Sequence, residues 1–587
     1  MSFDPNMNAR RNQLIVVLVA ALIFLGGAIS PPGLMDDVDA VQAQIARNML
    51  ESGDWVTARL DGVAYLEKAP LNYWMVAVSY MVFGVSDWAG RLPFALSAIA
   101  LAWLVSRMAA WAFGERQGFY AGLAIASSIG LWLFTRIQIP DVTLTLSIAL
   151  ALWAFIRALE ENAEDSRRWA LTFWACMGIG FLLKGLIAML FPIGAAVLYL
   201  TFRRQWRDIG RLQPFVGILL TLLIAAPWII LATLRNPPYF DFTMHSAPGE
   251  YHGFFWFFFL NEHLFRFLNM RYPRDYNTVP RVAFWLFHLL WFFPFSAYLV
   301  EAVRVRPTAQ PDRVSRMRLL CWCWAGFILI FFTFSTTQEY YSMPAYPAFA
   351  ILIGDAATRS TKWNRYSLRS VAVVCALLCV SLAGIAIAVR SYPTPGDISQ
   401  VLTLNPDAYT LSLGHMKDLT LPAFAYLRTP LLIAALAFGA GAIAAWRYSA
   451  VGLALMMVLF THAARLALVT FDPYLGSRPL AEALLRAPKG EVIFDNQYYT
   501  FSSVFFYTNK RGLLLNGRVN NLQYGSYAPG APQVFIDDTE FARRWRSAER
   551  HYLLIEGPAV LRIEGLVGKS AIHTVAESGG KFLLSNQ

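Results

Sequence analysis

Charge is scarce in this chain. Of 587 residues only 15% are Asp, Glu, Lys or Arg, whereas 57% are hydrophobic and the mean hydropathy is +0.44. That balance excludes a soluble globular protein and implies a multi-span membrane protein. Cysteine is scarce as well. Cys176, Cys321, Cys323, Cys375 and Cys379 all lie in apolar runs and the polar C-terminal part has none, so neither a disulfide framework nor a metal finger is suggested. No glycine-rich phosphate loop occurs, which leaves nucleotide chemistry without a cradle. Arg10 and Arg11 precede an apolar run with no small-x-small cleavage site after it, so the run is read as a retained first helix. Internal repeats and midplane charges are also missing, which argues against a secondary transporter.

Apolar runs of roughly 17 to 24 residues, long enough to cross ~30 Å of hydrocarbon, recur from Leu14 to about Val469. From about Phe471 the composition turns mixed and polar. Strand-like runs (Glu491 to Phe494, Gln533 to Ile536, Tyr552 to Ile555) and a helix-like Thr539 to Arg546 alternate with Gly, Pro and Asn turns. The expected organisation is therefore a membrane domain over 1–470 and a small α/β domain outside the bilayer over 471–587.

The net charge of +11 sits in short loops between spans and reports orientation rather than nucleic-acid binding. The basic loops are Arg10-Arg11; Arg107 and Arg116; Arg167-Arg168; Arg203 to Arg211; Arg304 to Arg318; Arg359 to Arg369; and Arg447. If all are cytoplasmic, consecutive ones are separated by an even number of crossings. Three apolar runs separate Arg11 from Arg107, so one does not cross, and Leu71 to Val85, at 15 residues, is the shortest. This leaves about 13 spans, a cytoplasmic N-terminus, a first external loop at 31–90, a large external loop at 235–280 and an external C-terminal domain. The same parity puts Asp36, Asp37, Asp39, Glu67, Lys68, Asp141, Lys184, Glu262, His263, Arg266, Glu339, Tyr340 and Tyr341 on the non-cytoplasmic side.

Any one polar group at a membrane edge can simply be solvated, but so large a set on one side suggests chemistry there. Val38, Val41, Ile45 and Met49 recur at helical spacing, with Asp39, Gln44 and Arg47 opposite, as in an amphipathic helix lying on the bilayer. Asp37 and Asp39 at its start suit either a helix cap or a general base for an acceptor hydroxyl. Glu67-Lys68 reads either as an interfacial ion pair or as a phosphate-binding lysine beside a carboxylate that ligates a metal or positions a sugar. His263 and Arg266, three residues apart in an aromatic helix, face one way and could meet a phosphate or a metal. Asp141 follows Ile139-Pro140 at the start of a span.

These segments resemble the integral-membrane glycosyltransferases of the GT-C fold, in particular the lipid A aminoarabinose transferases and the related protein O-mannosyltransferases. The resemblance is carried by Ala43 to Val56, Gly62 to Trp74, Phe83-Gly84, Ala89 to Pro93, Pro140-Asp141, Phe181 to Gly185, Asn261 to Phe267 and Tyr340 to Pro344. It implies sugar transfer, usually with inversion, from an undecaprenyl- or other polyprenyl-phosphate donor to a lipid A-like or other envelope acceptor. The setting it implies is the periplasmic face of a bacterial inner membrane, in contact with membrane lipids and with no nucleotide. It further implies Asp37 or Asp39 as catalytic carboxylate and Asp141 as a second active-site acid. Tyr65, Lys68, Arg266, Tyr341 and Lys184 would hold the donor phosphate. Glu67 and His263 would form a divalent-metal pair for Zn, Mg or Mn. Two stretches differ from the aminoarabinose pattern: Asp36 to Val41 lacks the adjacent Asp-Glu followed by arginine, and Gln338-Glu339 replaces a lysine and a proline before the tyrosines.

Overall fold

The computed structural model describes residues 5–160, 165–273, 279–305, 312–335, 338–402 and 418–587. Parts of two predicted loops, 274–278 and 306–311, lie outside them. The chain divides as its composition predicts, into a helical bundle followed by a six-stranded α/β unit.

Among the described residues, eight helices are long and apolar enough to cross a membrane, or ten if each of two bent pairs counts as one span. They include α1 (Pro5–Ile29), α4 (Asp87–Phe113), α7 (Asp141–Ala158) and α10 (Pro214–Arg235). One bent pair is α5 (Glu115–Ala126) with α6 (Ile129–Thr135), broken by 46°. Reaching the predicted thirteen requires three further helices: α8 (Ser166–Lys184), which is long enough but not apolar enough to qualify, and two shorter ones, α9 (Ile187–Arg203) and the helix ending at Ala357. The run expected not to cross is α3 (Leu71–Phe83), only 13 residues long, packed between α2 (Val38–Ser52) and α4.

The basic loops gather at one end of the bundle. Arg211 and Arg316 both donate to the Leu159 carbonyl, Arg313 pairs with Glu160 at 2.5 Å, and Arg318 and Arg359 share Asp355. The residues singled out above as candidates for chemistry are brought together elsewhere, around the loop that follows α1. That separation of charge is the arrangement the parity argument requires.

The α/β unit pairs strands β3 (Glu491–Asp495), β4 (Leu513–Leu515), β5 (Phe535–Ile536), β6 (His551–Glu556), β7 (His573–Ser578) and β8 (Lys581–Ser585) in the order β5-β4-β3-β6-β8-β7. The first four run parallel, and β8 and β7 are antiparallel. Helices cover both faces, as a parallel sheet demands of its apolar strands. Leu553, Ile493 and Leu515 are wholly buried on one face, with Phe541 and Trp545 against them.

One expectation is corrected here. Helix α2 does not lie with its polar side in solvent, because Asp39, Gln42 and Gln44 are all buried. The α/β unit covers that side: Arg47 donates to the Phe506 carbonyl at 2.8 Å, and Asn509 bonds Glu51. A short hairpin after α2, β1 (Arg59–Leu60) with β2 (Val63–Ala64), meets the same unit so closely that a Cβ at Gly525 would stand 1.9 Å from the Ala64 carbonyl oxygen. Only glycine fits there.

Candidate active site

A cavity of about 1420 Å³ lies between the first external loop, the ends of several spans and the α/β unit. Its apolar side is built by Leu186, Leu190, Leu264 and Phe267, all of them exposed side chains. Its polar side collects nearly all the predicted site residues.

Glu67 is the centre of that side. Tyr65 donates to its carboxylate at 2.7 Å, Lys68 pairs with it directly, and Arg266 and Arg271 stand 3.8 and 3.9 Å away. Burial alone would raise this carboxyl, yet Lys68, Arg271 and Arg266 outweigh it and hold the pKa down to about 2. Glu262 is a second acid bound to both arginines. Arg266 also donates to the Tyr341 hydroxyl at 3.2 Å. Three fixed cations thus converge with two carboxylates in one largely buried cluster. Such a cluster is preorganised for an anion, since its cations are already desolvated and aligned.

Next to it, Lys184 at the end of α8 pairs with Asp141 in the first turn of α7 at 2.6 Å. Its ammonium also lies 5.4 and 5.2 Å from the ring centres of Tyr340 and Tyr341. Gly185 follows with φ +68°, and a Cβ there would collide with His263. The glycine is needed for both the backbone turn and the histidine's approach.

The three first-loop acids have three separate fates. Asp36 accepts from Lys581 (2.6 Å), Ser477 (2.5 Å) and the Ser503 amide (2.8 Å), all in the C-terminal unit. Asp39 is 1% exposed, pairs with Arg91 at 2.6 Å and accepts from the Gln138 amide, and it does not line the cavity. As a candidate base Asp39 is therefore set aside: its carboxylate is committed to holding α2 against α4. Asp37 does line the cavity. It precedes α2 without capping it through its side chain, and it holds φ +78°, ψ −142°. Strain at a non-glycine residue persists only where the surroundings over-determine it, often at functional positions. Tyr499 and Ser502 of the C-terminal unit grip the Asp37 backbone from either side.

The Glu67–His263 metal pair is not what the donors form here. His263 Nδ1 donates to the Phe258 carbonyl and Nε2 accepts from the Leu186 amide, so both ring nitrogens are spent. Burial also pushes the imidazole pKa down, which keeps it neutral as that acceptor role requires. Glu67 faces cations, and no group of three or more His, Cys, Asp or Glu able to hold a metal occurs among the described residues. The donors do not fit the expected ion.

Sequence reasoning missed several neighbours. Tyr499 donates to Tyr65 at 3.2 Å, Asn521 donates to Tyr499, and Arg271 donates to Asn521 at 2.6 Å, linking the cation cluster to the C-terminal unit. Tyr498-Tyr499 and Asn520-Asn521 are local polar and aromatic signals in the tail, but nothing in their spacing says that they fold back onto the membrane domain.

Comparison with known proteins agrees with this architecture. Residues 67–231 match the family described as dolichyl-phosphate-mannose-protein mannosyltransferase, a segment that begins at Glu67 and includes Lys68, Asp141 and Lys184. The undecaprenyl phosphate-alpha-4-amino-4-deoxy-L-arabinose arabinosyl transferase of Aeromonas hydrophila is 28% identical over 320 residues, 53% of this chain and 54% of its own length. The enzyme of that name from Pseudomonas aeruginosa is 28% identical over 398 residues, 65% of this chain and 66% of its own. The match thus spans about half the length of the Aeromonas relative. Two crystal structures of ArnT from Cupriavidus metallidurans superpose over 98% of this chain and 97% of theirs at 22% identity. Their TM-scores are 0.76 with undecaprenyl phosphate bound and 0.78 in the apo state. This chain is accordingly a polytopic membrane protein of the GT-C fold, resembling the aminoarabinose transferases and protein mannosyltransferases.

Proposed function

We propose that the protein transfers a sugar from a polyprenyl-phosphate donor to a hydroxyl-bearing acceptor at the non-cytoplasmic face of the membrane. The observation that carries this reading is the cluster of Lys68, Arg266 and Arg271 around Glu67 beside an apolar cavity wall. A lipid phosphate needs both features. In support, the relatives that match are named for undecaprenyl phosphate-linked sugar transfer, and one ArnT structure holds undecaprenyl phosphate.

In this scheme the acceptor oxygen attacks the anomeric carbon as the bond from that carbon to the phosphate oxygen breaks. The phosphate leaves with the bonding electrons, and Lys68, Arg266 and the Tyr341 hydroxyl stabilise the charge it gains. Asp37 takes the acceptor proton, a role worth about 10²- to 10⁴-fold in rate. Attack opposite the leaving phosphate inverts the anomeric centre. Asp141 holds Lys184 near the tyrosines, and no step runs through a metal. We place the N-terminus in the cytoplasm and the α/β unit in the periplasm of a bacterial inner membrane, on the strength of the clustered basic loops. An alkaline phosphatase fusion to the C-terminus tests that topology and is expected to be active.

A protein acceptor is the second reading, favoured by the mannosyltransferase match over 67–231. The deciding experiment is mass spectrometry of envelope glycolipids and glycoproteins from cells with and without the gene. A mass difference of one sugar on a glycolipid supports the first reading, the same difference on a protein supports the second, and no difference on either sinks both.

A further inference from the structure

The transfer scheme uses only the membrane-side wall of the cavity. The opposite wall is the carboxyl edge of the parallel sheet. In the order β5-β4-β3-β6 the winding reverses between β3 and β6, because β4 and β5 are laid down on one side of β3 and β6 on the other. Open α/β sheets bind ligands in the crevice at that reversal, outside the carboxyl ends of the strands. Here the crevice opens into the cavity. Asn496 and Gln497 follow β3, Asn520 follows β4 and Glu556 ends β6, and all four line the cavity wall.

Their chemistry is distinct from that of the cation cluster. Asn496 and Asn520 hold left-handed backbone at φ +69° and +53°, which asparagine tolerates better than most residues. Gln497 accepts from the Asn520 amide. Glu556 is exposed to the cavity, and among the described residues no group donates a hydrogen bond to its carboxylate. The nearest cation, Lys581, is its cross-strand partner, but that ammonium is spent on Asp36 and Ser477. Burial raises the Glu556 carboxyl, Lys581 opposes the shift, and Asp36 and Asp495 add to it. A second phosphate would be repelled here. Side-chain amides beside an unsatisfied carboxylate suit the hydroxyl and amino groups of a saccharide.

Resting on the transferase reading, we propose that this switch point is the acceptor subsite: Glu556 receives a hydroxyl or amino group of an acceptor saccharide, and Asn496 and Gln497 hold its neighbouring hydroxyls. The experiment uses the full chain in lipid nanodiscs, with methyl glucosaminide as probe, glucose 6-phosphate as control and saturation-transfer NMR as readout. Undecaprenyl phosphate binding is measured on the same samples. Methyl glucosaminide is expected to bind and glucose 6-phosphate to bind more weakly. Glu556→Gln is expected to weaken the glucosaminide about tenfold, the scale of one hydrogen bond to a charged group, and Asn496→Gly, which keeps the left-handed backbone, about fivefold, with undecaprenyl phosphate binding unchanged. The subsite is overturned if both variants bind the glucosaminide as the wild type does, or if the wild type binds undecaprenyl phosphate and no glucosaminide. A wild type that fails to bind undecaprenyl phosphate overturns the transferase reading instead, and the glucosaminide signal still decides the subsite.

Discussion

The two walls of the cavity differ in chemistry and in origin. The membrane-side wall draws Lys68, Arg266 and Tyr341 from segments far apart in sequence and gathers cations paired with buried acids. The wall from the α/β unit presents Asn496, Gln497 and Glu556, which are amide and acid. A donor with an anionic leaving group belongs on the first, and an acceptor that must not compete for the same cations belongs on the second. On the proposed transfer reading, the contrast teaches that two substrates can be sorted by the chemistry of the walls before any contact specific to either sugar is made.

The comparison breaks most visibly at the two aspartates on either side of Val38. Asp37→Asn is expected to lower transfer about 10²- to 10⁴-fold, the value of a general base, with an unchanged melting temperature. Asp39→Asn removes one partner of a buried pair and is expected to cost about 3–5 kcal/mol of stability. Transfer assays and thermal melts on the same preparations check both, and an Asp37→Asn enzyme with full activity would remove Asp37 as the base. Next in size, Arg266→Ala should weaken undecaprenyl phosphate binding about 10- to 100-fold, since a hydrogen bond to a charged group is worth about 1.5–3 kcal/mol. Equal weakening by Glu556→Gln would erase the distinction between the walls.

Lys581→Met leaves Asp36 without its cation and should cost about 1–3 kcal/mol, read as faster limited proteolysis of the α/β unit. The smallest effect concerns pH. A carboxyl whose folded pKa is depressed keeps its charge, and the stability it contributes, above its unfolded pKa and loses them only as pH falls through the folded one. With Glu67 held at about 2, its charge is constant from pH 5 to 8. Undecaprenyl phosphate binding should then strengthen only a few-fold as the phosphate gains its second charge near pH ~6. A transition centred between pH 4 and 5 in calorimetric titrations would mean that Glu67 is not held as described.

Much of this was legible in the sequence because it is local. Tyr65-Leu66-Glu67-Lys68 and Phe181 to Gly185 stand out as polar or glycine-bearing groups against an apolar background, and loop charge places them on one side. The strands at Glu491, Phe535 and His551 follow from short apolar runs between turn residues. What the sequence hid is contact over long range. Asp37 and Asp39 are two residues apart and chemically identical, yet only their partners, Arg91 and Gln138 for Asp39 and the Tyr499 and Ser502 clasp for Asp37, separate their roles. The docking of α2 under the α/β unit was equally hidden, because a polar helix face looks the same whether water or protein covers it.

The bond between Lys581 and Asp36 joins residues 545 apart. On the ribosome, Asp36 is made before almost all of the membrane bundle, and its ammonium partner only after the whole bundle and most of the sheet. Until Tyr499 and Ser502 emerge the strained turn at Asp37 has no clasp, and until β8 emerges Asp36 has no counter-charge. The cavity is thus completed last, and a chain stalled before β8 holds the membrane-side wall without the strand that fixes Asp36.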